Sequence, residues 1–139
     1  MKNIWIFYGF GAAISFGCMM LTYKKLLLMN LQPLVLNFFV FGLTFIGFSA
    51  WVSISNTPIK ISTPMLLFLL LASCFAIMGN YFDVNAVKAA PNPGYSTTLK
   101  ATQIVIVTLL APIIFDSHFN LQKLFGVFLV LSGVFLVSR

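Results

Sequence analysis

Long apolar blocks, broken at intervals by short polar or proline-bearing stretches, constrain this chain more than any other feature of it. Each block approaches or exceeds the roughly 20 helical residues needed to cross a hydrocarbon core of about 30 Å. Inside lipid every backbone N–H and C=O must be paired within the segment, so such blocks fold as helices. Composition points the same way: 60% of the residues are hydrophobic and 7% charged, where soluble domains carry about 25% charged residues. The expected fold class is an all-α membrane protein with five transmembrane helices. They fall at about 4-27, 33-54, 65-87, 94-115 and 121-137, within a single domain over 1-139. The expected setting is the lipid bilayer of the cell membrane, as a multi-pass protein.

The net charge of +6 comes from seven lysines and Arg139 against Asp83 and Asp116. The basic residues sit mostly at helix ends and form no run or patch, so headgroups, not nucleic acid, are the expected partners. Lys24 and Lys25 are read this way at the end of the first helix. Cys18 and Cys74 fall inside apolar blocks and read as small packing residues. Lys2 followed by an apolar stretch resembles a signal peptide. The lack of a clear small-x-small cleavage site and the spans that follow favour a retained first helix.

In the first helix Gly9, Ala13 and Gly17 fall at intervals of four, lining small residues along one face where another backbone can approach. Pro33 suits the first turn of the second helix, whose most polar inner residue is Asn37. Trp5 and Trp51 read as interfacial anchors. The stretch SNTPIKISTP, residues 55–64, is a loop. Pro112 in the fourth helix predicts a mild kink, and Asp116 and His118 in the next loop read as solvated. In the fifth helix Gly126 and Gly133, seven residues apart, share a face bordered by Ser132. Helix packing or dimer contact is the expected use of both small-residue faces.

The exception to this apolar pattern is residues 79–103, GNYFDVNAVKAAPNPGYSTTLKATQ. Asp83 precedes Pro91 by eight residues and Lys100 follows Pro93 by seven, which sets both about 10–12 Å from the turn in a helical hairpin. Asn80 shares a helical face with Asp83, and Ser96, Thr97 and Gln103 form a stripe with Lys100. An ionisable residue at that depth is a functional hypothesis by default. Three readings stay open: these six residues line a hydrated substrate cavity, Asp83 and Lys100 form a static pair, or both snorkel to the interface. A cavity lined by both charges would match a small-molecule substrate of zwitterionic or amphiphilic character. An enzyme is not expected, since no nucleophile with a base, metal-ligand cluster or phosphate loop stands out; no cofactor is expected either.

Five spans put the termini on opposite sides of the membrane. Lys2, Lys60 and Lys123 then face Lys24, Lys25, Lys88 and Arg139, almost no positive-inside bias. Such a chain can insert both ways and pair antiparallel with itself, or be oriented by a partner.

The helix ending near NYFDVNAVKAAPNPG, the next starting GYSTTL, and the closing LQKLFGVFLVLSGVFLV resemble the drug/metabolite transporter superfamily, as one EamA-type five-helix repeat. The last helix also resembles the glycine-heptad helix of small multidrug resistance proteins, which mediates dimer contact there. That family couples export to protons through a glutamate in its first helix. No acid precedes Asp83 here, so the same route is not expected. Many EamA repeats carry a Gly-Glu pair before the last helix, where this chain has FDSHF with Asp116. The resemblance implies alternating-access transport by two five-helix repeats, hence a homodimer, with inverted pairing expected, or a heterodimer with a similar small membrane protein. The rival expectations are a non-transporting accessory subunit and a flippase-like carrier of lipid-linked sugars.

Overall fold

The computed structural model describes residues 4–115 and 121–139. All regular secondary structure among them is helical: α1 Ile4–Leu28, α2 Pro33–Ile54, α3 Thr63–Ala89, α4 Pro93–Lys100, α5 Gln103–Phe115 and α6 Leu121–Val137. α1, α2 and α3 and the combined segment Pro93–Phe115 are each long and apolar enough to span a bilayer. The 17 residues of α6 cover about 26 Å, enough for a thin or locally adapted membrane. Contacts group the chain into two compact units, Met1–Lys88 and Ala89–Arg139.

In the first unit the helices pack at one end only. The buried cluster joins Met20, Tyr23 and Leu27 of α1 to Leu36 of α2 and to Val84 and Val87 of α3. These positions lie near the end of α1, the start of α2 and the end of α3. Residues 4–18, 41–51 and 63–79 are almost uniformly exposed. Apolar exposure of this kind has no cost in lipid, because acyl chains solvate leucine as well as another helix does. Helix association there depends on close packing and on polar contacts. The turn from α1 to α2 is tight because Asn30 adopts φ 65°, a left-handed conformation that asparagine tolerates. Leu31 N–H then bonds back to the Leu26 carbonyl at 3.2 Å, closing the α1 C-terminus in a Schellman-type cap.

The second unit opens at Asn92, whose side chain accepts from the Gly94 N–H at 2.8 Å and caps α4, with Pro93 in the first turn. A Cβ on Gly94 would lie 3.1 Å from that same Asn92 oxygen, so glycine suits the capped turn.

The segment expected as one helix over 94-115 is divided at Ala101 and Thr102. Thr97 and Thr98 bond back to the carbonyls of Pro93 and Gly94, and Thr102 Oγ1 donates to the Leu99 carbonyl at 2.8 Å. Hydroxyls that compete for helix carbonyls loosen the regular ladder. At the break the backbone tightens to three-residue spacing: Thr102 N–H to Leu99, Ile104 N–H to Ala101 and Val105 N–H to Thr102. α5 runs through Pro112 without interruption. α4 packs against α6 within this unit.

Candidate functional site

Asp83 lies half-buried in the last third of α3, one position before the fully buried Val84. Tyr23 of α1 is buried in the same cluster as Val84. One turn further along α3, Lys24 Nζ donates to the carbonyls of Val87 at 3.1 Å and Lys88 at 3.3 Å. The last carbonyls of a helix have no partner in the helix and form its negative pole. An ammonium placed there makes charge-assisted bonds. Lys24 therefore departs from the expectation that it reaches the headgroups: it turns inward onto α3, while Lys25 stays exposed. Neither Tyr23 nor Lys24 stands out in the sequence as part of a polar site. The only available signal was that α1 ends, and α3 ends, on the same side of a three-span unit.

Asn80, one turn before Asp83, is half-buried and its side chain donates to the Ala76 carbonyl of its own helix at 2.8 Å. Its backbone carbonyl receives Asn37 Nδ2 of α2 at 3.3 Å. Asn37 is 9% exposed, and among the described residues its Oδ1 has no hydrogen-bond partner. Both asparagines border a groove of about 800 Å³ between α2 and α3. The sequence marked Asn37 as polar and interior without assigning it a partner.

The remaining site candidates belong to the second unit. Ser96 is buried, and its hydroxyl and that of Thr97 both donate to the Pro93 carbonyl at 2.9 Å. Their oxygen lone pairs stay available as acceptors. Lys100 is half-buried in the last turn of α4, while Gln103 is exposed and opens α5 beyond the break. The expected stripe is thus divided, with Ser96, Thr97 and Lys100 on α4 and Gln103 on the next element.

The small-residue faces are open within their own units. A Cβ added at Gly9, Gly17, Gly126 or Gly133 would meet no neighbouring atom within 4 Å, and Ala13 is exposed. Ser132 donates to its own helix at the Phe128 carbonyl, 3.0 Å away. Cys18 and Cys74 are free and exposed. Among the described residues no group of histidine, cysteine or carboxylate side chains is arranged to hold a metal. Asp116 and His118 lie outside the described residues.

Spanning apolar helices, with polar side chains gathered near helix ends and at one interhelical groove, define a multi-pass integral membrane protein. The chain belongs to the EamA-like transporter family, whose model matches residues 3–139. That makes it a membrane transporter of the drug/metabolite type. No curated protein and no solved structure matches it.

Proposed function

We propose that the protein moves a small polar or amphiphilic metabolite across the cell membrane by alternating access, as a dimer of five-helix repeats. In this reading residues 1–139 supply one repeat. Asp83 and Asn80 on α3, with Ser96, Thr97, Lys100 and Gln103 on α4 and α5, contact the substrate. The observation that carries the proposal is the position of Asp83. Among the described residues it is the only acidic side chain, and it is half-buried in a membrane-spanning helix of a transporter-family chain. Such a group is retained against a desolvation cost. A carboxylate and an ammonium at similar sequence distance from the Pro91/Pro93 turn suit a substrate bearing both charges, such as an amino acid.

Alternating access around one site needs two repeats, and one chain supplies one. A homodimer with antiparallel protomers fits the near-absent charge bias; a heterodimer with a similar small membrane protein is the other arrangement. Reconstituted vesicles test the site. Asp83→Asn and Lys100→Gln are each expected to remove uptake or efflux of candidate zwitterions while leaving dimer yield unchanged. Full transport by both variants would overturn the assignment.

A further inference from the structure

The groove between α2 and α3 carries a feature that transport through Asp83 and Lys100 does not use. Its walls are apolar and aromatic, from Phe38 and Phe41 of α2 and Tyr81 of α3. Small residues, Gly42, Ser73 and Ala76, leave its volume of about 800 Å³ open. Buried at its edge, Asn37 holds one unsatisfied acceptor, Oδ1, because Nδ2 is already engaged by the Asn80 carbonyl. That bond also fixes which way the amide points, since the flipped amide would set oxygen against oxygen. A buried amide oxygen without a partner costs roughly 1–3 kcal/mol, and lipid tails offer it no donor.

The extent of the groove indicates what fills it. Along α2 it runs from Leu34 to Gly42, about 12 Å of helix, which is close to half of a hydrocarbon core of about 30 Å. It starts in the first turn of α2, at the end where the three helices pack, and reaches toward the bilayer centre. Asn37 lies four residues from Pro33, about 6 Å into the helix. Asn37 therefore lines the outer end of an apolar groove one leaflet deep, with its unsatisfied Oδ1 covered by the protein.

We infer that this groove is a binding site for a single-tailed amphiphile whose head carries a hydroxyl or amide N–H, with the tail between α2 and α3 and the donor on Asn37 Oδ1. The site discriminates by hydrogen-bond polarity. An acceptor-only head, such as a simple ester, leaves the Asn37 oxygen unpaired, whereas a hydroxyl satisfies it once the side chain turns to bring the covered Oδ1 to the groove, a turn that the long 3.3 Å bond from Nδ2 opposes only weakly. The assignment uses neither Asp83 nor Lys100, and from the proposed transport site it shares only Asn80, whose backbone carbonyl holds Asn37.

The test uses the full chain in phosphatidylcholine vesicles and two photoreactive probes with the same diazirine-bearing oleoyl tail, a monoacylglycerol and the corresponding methyl ester. The monoacylglycerol is expected to label peptides containing Phe38 to Gly42 and Ser73 to Ile77 about ten-fold more than the ester. Asn37→Leu is expected to abolish that preference. Ser73→Phe, on an exposed face, fills the groove without touching the amide and should suppress labelling by both probes. Circular dichroism should show unchanged helix content in each variant. Equal labelling by the two probes in the native chain, or a preference that survives Asn37→Leu, would overturn the assignment. So would efficient disulfide formation between Gly42→Cys copies in place of labelling, which would give the groove to a second copy.

Discussion

Lys24 illustrates how a single charge changes meaning once its neighbours are known. At the end of an apolar helix it reads as a headgroup anchor, but its ammonium closes the C-terminus of α3 through two carbonyls. Lys24→Met keeps the apolar stem and removes both bonds, so thermal stability in detergent should fall by roughly 1–2 kcal/mol, with Lys24→Arg recovering much of the loss. Lys25→Met, at an exposed position, should change stability by less than about 0.5 kcal/mol. Equal melting temperatures for the two methionine variants would contradict the cap. Asp83 belongs to the same end of the first unit, where its neighbour Val84 is buried in one cluster with Tyr23. Tyr23→Phe should then alter transport while leaving the apolar packing of Met20 and Leu27 in place. An unchanged transport rate would show that the phenol takes no part.

Among the elements, the break between α4 and α5 separates Lys100 from Gln103. Beside it the hydroxyls of Thr98 and Thr102 bond to the carbonyls of Gly94 and Leu99, and the backbone makes three-residue bonds. Replacing both Thr98 and Thr102 by alanine, the stronger helix former, should restore a continuous ladder. Hydrogen exchange of the amides of Thr102 to Val105 should then slow several-fold. No slowing would place the cause of the break outside these hydroxyls. The glycines of α6 act at the same scale. Among the described residues, a Cβ added at Gly126 or Gly133 would meet no atom within 4 Å, which leaves room for a helix of another copy. If that face carries the proposed dimer, Gly126→Leu and Gly133→Leu should each lower the dimer fraction measured by crosslinking in membranes at least several-fold. A dimer fraction equal to the native one would remove α6 from the interface.

At the scale of the whole molecule, the controlling fact is that so few of the described residues are buried. One cluster near the ends of α1 and α3 holds the first unit together, and long stretches of all three helices face outward. In lipid those surfaces are solvated, yet they also leave faces on which a second copy can pack. Antiparallel assembly makes a direct prediction: labelling of single-cysteine termini in sealed vesicles should find each terminus on both sides of the membrane in comparable amounts. A single orientation in all molecules would favour a heterologous partner over an inverted homodimer.

The sequence by itself determined the solvent, the apolar spans and the family resemblance, but not the division of the fourth span at Ala101 and Thr102. Apolar block length, proline positions and rare charges are local properties, and lipid permits so few backbone solutions that local properties suffice. It also marked Asp83, Lys100 and Asn37 as polar groups in apolar surroundings. Only the tertiary structure decided where those groups find partners. The inward turn of Lys24, the bond from Asn37 to the Asn80 carbonyl and the unsatisfied Asn37 oxygen depend on which helix ends meet across 43 to 64 residues of chain. Periodicity assigns a residue to a face of its own helix, but not to the helix that covers that face.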